Sequence, residues 1–167
     1  PANPPRKPST PTTTSPRPPV PMPVVVPATS KLAWRWPADG NVVRTDVSSA
    51  FDFAYDLDAG GRHVLLTLEV MRLSDTEGSG PGLQYTNKTF EQLSTAPSNG
   101  WITNDTIVVD SGSVLLLRSR IVCSGLGVPL YGKLEVLSID DTPGNETMTF
   151  KALTNENCGY KSLVTGL

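Results

Sequence analysis

From Leu32 onward the apolar residues recur at every second position, a period of two that marks strands with one buried face. Leu32, Trp34 and Trp36 alternate with Ala33 and Arg35 until Pro37 ends the run. Phe51, Phe53, Tyr55 and Leu57 then share one face, opposite Ala50, Asp52, Ala54 and Asp56. That pattern predicts a half-buried antiparallel strand whose carboxylates point to water. Asp58-Ala59-Gly60-Gly61 follows. Paired glycines accept the positive φ of tight hairpin turns, so a second strand is expected to return over residues 63–73.

Further apolar runs cover residues 101–109, 114–122, 130–139 and 147–153. They are separated by Asp110-Ser111-Gly112, by Ser124-Gly125-Leu126-Gly127 and by a polar stretch around Pro143-Gly144. Residues 74–82 read as an exposed loop, and residues 89–93 as a single helical turn with Phe90 and Leu93 three apart. No helix-period segment competes, and there is no internal repeat. Seven or eight short strands joined by turn chemistry imply an all-β fold, an antiparallel β-sandwich or jelly roll.

Composition divides the chain. Eleven of its sixteen prolines fall within the first 27 residues, which hold no aromatic residue. Val24, Val25 and Val26 are the only apolar cluster there, too little to offset the entropy of ordering the backbone. Residues 1–30 are therefore expected to be an extended arm or tether, and residues 31–167 a single β domain. In polyproline II form the first 27 residues would reach on the order of 80 Å. Pro4, Pro5, Arg6, Lys7, Arg17, Pro18, Pro19, Pro21 and Pro23 are the positions at which such an arm would meet a partner, since proline lowers the entropy lost on docking.

Charge follows the same division. Arg6, Lys7, Arg17 and Lys31 all precede the first acidic residue, Asp39, which leaves ten basic against sixteen acidic residues in the remainder. A remainder at −6 excludes nucleic acid as its natural partner, while the arm's four cations suit an acidic protein surface or anionic headgroups. The Pro/Thr/Ser-rich composition of residues 1–30 resembles the stalk that follows the lipidated cysteine of bacterial lipoproteins. That resemblance implies an extracytoplasmic, membrane-associated protein with a lipid anchor upstream of the arm. The chain begins without methionine, so a targeting segment is inferred to have been removed or to lie outside this sequence. No run of about 20 apolar residues is present to span a bilayer.

The two cysteines, Cys123 and Cys158, have neither zinc-site nor redox-pair spacing. They are expected to form one structural disulfide, a bond that persists mainly outside the cytosol; two buried thiols are the alternative.

Candidate chemistry is sparse. A serine or cysteine nucleophile needs a base, most often histidine, and His63 is the only histidine. It stands at the start of a predicted strand, and no G-x-S-x-G elbow occurs. Asp52 and Asp56, with Glu69 or Glu135 opposite, are the candidate carboxylates for glycoside hydrolysis, although such groups more often solvate an outer face. Asp56, Asp58 and the following glycines begin like a calcium loop. Gly60 and Thr67 then stand where ligands would be needed, and the acidic pair Asp140 and Asp141 is equally ambiguous. No catalytic residue, metal or cofactor is assigned.

Aromatics carry the remaining signal, because flat apolar rings stack on sugars or fill interface centres. Strand tryptophans such as Trp34 and Trp36 are expected in the core, whereas Trp101, Tyr85 and Tyr131 are candidate ligand or interface aromatics. Three N-x-T sequons, at Asn87, Asn104 and Asn145, carry no inference in a chain so rich in Thr and Ser. The function expected is that of a non-catalytic accessory subunit bracing other protein subunits of an envelope or membrane complex, with the arm as a clasp. A tethered carbohydrate- or ligand-binding module is the alternative.

Overall fold

The computed structural model describes residues 51–73, 80–123 and 125–164, together with the backbone of three strands at 23–27, 32–34 and 42–44. The expected arm positions from Pro4 to Pro21, Trp36 and the side chain of Trp34 lie outside the described residues. The strands are β1 (Pro23–Pro27), β2 (Leu32–Trp34), β3 (Val42–Arg44), β4 (Phe53–Leu57) and β5 (His63–Thr67). After them come β6 (Gly82–Tyr85), β7 (Ile107–Val108), β8 (Val114–Cys123), β9 (Val128–Asp140) and β10 (Thr147–Asn155).

They form two antiparallel sheets, a first in the order β1-β10-β9-β8-β6 and a second in the order β3-β2-β4-β5-β7. Of the seven strands from β4 onward, four lie in the first sheet and three in the second. The all-β expectation holds, and the strand count rises to ten. The additions are short edge strands with little alternation to reveal them. One of these, β1, falls inside the proline-rich stretch and pairs Pro23–Pro27 with Lys151 through Thr147 of β10.

One core joins the sheets. Phe53, Tyr55, Leu65 and Ile107 of the second sheet pack with Leu83, Leu115, Leu117, Leu134, Val136, Met148 and Phe150 of the first. The alternation of β8 and β9 supplies these contacts: Leu115 and Leu117, then Leu134 and Val136, all face inward. Among the described residues, Phe53, Tyr55, Leu65, Leu117, Leu134 and Phe150 line a void of about 10 Å³ between the sheets, room for about one water.

The β4–β5 hairpin forms as the sequence predicts, with Gly61 at φ 75° and its amide donating to Asp58 O at 2.9 Å. Beyond it the chain departs from the predicted pattern. The strand expected over residues 63–73 ends at Thr67. There the chain turns back, with the Met71 amide on Thr67 O and the Leu73 amide on Leu68 O, and Arg72 at φ 56°. Leu68 is thereby folded onto the outer face of β4, where it forms a second cluster with Phe51 and Ala54, flanked by Leu66 and Met71.

This is why the predicted water-facing side of β4 is not exposed: Ala54 is 5% accessible and Asp52 0%. Asp52 Oδ1 accepts the Arg120 amide at 2.9 Å, and Arg120 Nη1 donates to Phe51 O at 2.9 Å. β6 pairs with β8 only as far as Arg118, so a side chain serves the β8 backbone where the neighbouring strand has ended. The run over residues 101–109 is likewise strand only at Ile107–Val108, with Ile102 making an isolated bridge to Leu83.

Candidate functional site

Three regions outside the shared core hold the residues from which chemistry or binding can be built. The first is the outer face of the first sheet. Leu116 of β8 and Tyr131 of β9 point outward and are covered by Leu93, Ala96 and Leu163, with Trp101 and Val114 packed alongside. Residues 86–103 therefore run across the sheet rather than away from it.

Their irregular backbone is held by Lys133, 4% accessible. Its Nζ donates to Phe90 O at 2.7 Å and Leu93 O at 2.8 Å and lies 4.5 Å from the Phe90 ring centroid. Burial pushes the Lys133 pKa down. Lys151 supports the same turn from β10, pairing with Glu135 at 2.7 Å and Glu91 at 3.0 Å. The Glu135 carboxylate chiefly holds the Lys151 pKa up, because a hydrogen bond to the ammonium favours the charged form.

Trp101 and Tyr131 belong to this packing. Their rings lie 5.9 Å apart, the Arg118 guanidinium sits 5.6 Å over Trp101, and Tyr131 is 8% accessible. Gly82 makes room for the indole, since a Cβ there would stand 2.9 Å from Trp101 Cβ. Of the three candidate aromatics only Tyr85 is open, at 50%. It lines a groove of about 390 Å³ bounded by residues 86–89, by Gly112, Ser113 and Val114, and by Glu135.

The second region is the β8–β9 tip. The disulfide expected from the sequence is formed between Cys123 and Cys158. Cys123 O accepts the amides of Leu126 and Gly127 at 2.9 Å, Gly127 adopts φ 64°, and the Gly159 amide donates to Pro129 O at 3.1 Å. On this stapled tip Leu126 is 71% accessible, Tyr160 68% and Ile121 47%.

The third region centres on His63. Its Nδ1 lies 2.5 Å from the Tyr55 hydroxyl and its Nε2 2.5 Å from Asp141 Oδ1. Burial, then the charges of Asp141, Glu146 and Asp56, push the Tyr55 hydroxyl up to about 12. Both ring nitrogens are thus engaged in tying the β4–β5 hairpin to the loop between β9 and β10. His63 was visible in the sequence; its partners were not, because they are 8 and 78 residues away.

The other candidate carboxylates serve local structure. Asp58 accepts from the Gly60 and Arg62 amides and from Arg62 Nε, and these bonds, led by the Arg62 amide, lower its pKa. Asp140 accepts from the Thr142 amide and hydroxyl. Comparison of the chain with known protein families, with curated proteins and with solved structures finds no match.

Proposed function

We propose that this chain is an extracytoplasmic, non-catalytic accessory subunit, a β-sandwich that docks on a larger envelope or membrane assembly with the proline-rich arm as a second contact. The exposed apolar tip carries the reading. Leu126 stands in water on the turn that the disulfide braces, with Ile121 of β8 and Tyr160, two residues past Cys158, exposed on the segments that the bond joins, and apolar side chains held in this way bind with little loss of conformational entropy. The occupant is a protein subunit with an apolar socket for Leu126 and an acidic track for the cationic arm, joined contacts that bind far more tightly than either alone. A disulfide supports an oxidising compartment. The non-catalytic part of the reading is supported by the burial of Tyr55, 1% accessible, which keeps the hydroxyl held by His63 and Asp141 away from a substrate.

The test compares retention of a defined multi-subunit complex from native membranes by the full chain, by Leu126→Glu, by a chain lacking residues 1–22, and by the two combined. The truncation stops before Pro23 so that β1 is kept. Each single change is expected to weaken retention and the combination to abolish it. Retention by the combined variant at the level of the full chain overturns the reading.

A further inference from the structure

We propose that the groove beside Tyr85 is a binding site for a neutral saccharide, separate from the docking tip. The groove lies at the Val114 end of β8 and the tip at the Cys123 end, nine residues away, or about 30 Å at the rise of an extended strand. Tyr85 ends β6, and its hydroxyl donates to Val108 O of the other sheet at 2.8 Å. The ring is thereby fixed while half of the residue stays accessible. A fixed, exposed aromatic face is the platform on which the C–H face of a pyranose stacks, and it loses little rotamer freedom on binding.

The polar lining complements sugar hydroxyls, each of which both donates and accepts. Thr86 Oγ1 accepts the Lys88 amide at 3.1 Å, Thr89 Oγ1 the Gln92 amide at 3.4 Å, and Ser113 Oγ the Asp110 amide at 2.9 Å. Each of these hydroxyls has spent a lone pair on a turn amide, which leaves its hydrogen free to donate into the groove. Acceptors line the same groove: the Asn87 carboxamide and the Glu135 carboxylate, whose Oε2 lies 2.7 Å from Lys151 Nζ.

The Glu135 carboxylate in the wall disfavours a sugar acid, and the Lys88 ammonium at the rim supplies one further donor. At about 390 Å³ the groove falls in the range of small-molecule sites, roughly 300 to 1,000 Å³. Gly112, at φ 89°, adds a stretch of wall with no side chain.

The test is an amide-resolved NMR titration of the full chain with cellobiose, maltose and N,N′-diacetylchitobiose. Saturable shifts are expected for at least one of the three, confined to residues 85–89 and 112–114. Tyr85→Ala is expected to weaken that binding at least tenfold, and Tyr85→Phe, which keeps the ring, by no more than about threefold. Asn87→Ala, at an exposed position that cannot unfold the domain, is expected to weaken it several-fold. Leu126→Glu should leave it unchanged, so the outcome is independent of the docking reading. Absence of saturable shifts with all three sugars, shifts that map to the tip, or wild-type affinity in both Tyr85→Ala and Asn87→Ala overturns the proposal.

Discussion

On its inner face the first sheet presents Leu115, Leu117, Leu134, Val136, Met148 and Phe150 to the second sheet. On its outer face the same strands present Leu116, Tyr131, Lys133 and Lys151 to residues 86–103 and to the last described turn. The inner partner is itself a sheet, so its backbone groups are already paired and apolar side chains suffice. The outer partner is irregular chain, which carries backbone carbonyls that no ladder satisfies. A cation must reach them, and Lys133 does so from the middle of β9. Covering a sheet with a loop thus requires buried polar anchors, whereas covering it with a second sheet does not.

The largest effect expected from breaking this contrast is on the inner face. Phe150→Ala should cost about 3–5 kcal/mol in urea unfolding, since a residue 1% accessible leaves a cavity between the two sheets. Removing the staple with Cys123→Ser and Cys158→Ser together should cost about 4 kcal/mol, from a sequence separation of 35.

Next comes the outer anchor. Lys133→Ala should cost about 2–3 kcal/mol by orphaning two carbonyls, and Lys133→Met less, because it keeps the packed stem. A distinguishing readout is hydrogen exchange. The amides of Gln92, Ala96 and Leu163, bonded to Thr89 O, Lys161 O and Ser94 O, should lose protection in both Lys133 variants. In Phe150→Ala their exchange should follow global unfolding.

The smallest and sharpest test is alkaline pH, where the two sites have opposite signs. Tyr55 has its pKa raised to about 12. Its stabilisation is complete below the unfolded value near 10 and is lost as pH rises towards 12, at most about 2–3 kcal/mol. Lys133 has its pKa lowered by burial. The unfolded chain then binds more protons, so this contribution to stability rises with pH up to the unfolded value near 10.4. Urea midpoints measured from pH 8 to 11.5 should show the first limb vanish in Lys133→Met. The fall above pH 10 should remain and should track the late-ionising tyrosine in absorbance.

Several parts of this architecture are legible in the chain, each for a local reason. Phe53 and Tyr55 alternate with their neighbours, Gly60-Gly61 must turn, and Cys123 and Cys158 have no other use. What escapes is tertiary. Asp52 reads as a solvated face because nothing near it in sequence reveals that Leu68 will fold back beside it or that Arg120 will offer an amide. Lys133 occupies an outward position in a clean alternation, and only the path of residues 86–103 buries it. Trp101 sits next to a turn and so looks exposed; the space left by Gly82 draws it inward. Tyr85 lies just past a stretch that reads as loop, and its strand is recognisable only once paired with β8.

β1 has a consequence for what happens at high concentration. It pairs with Thr147–Lys151, the first five residues of the nine-residue β10, and is itself bounded by Pro23 and Pro27. Neither proline has an N–H, so only Val24, Val25 and Val26 can donate to anything beyond. Strand alternation turns either one or two of those amides outward. A neighbouring molecule seeking to extend the first sheet along β1 would find too few donors to grow on, one way in which native sheets resist fibre formation. The short proline-bounded strand thus acts as a stopper against self-association, and chains cut after Pro27 should clump on refolding where chains cut before Pro23 stay clear.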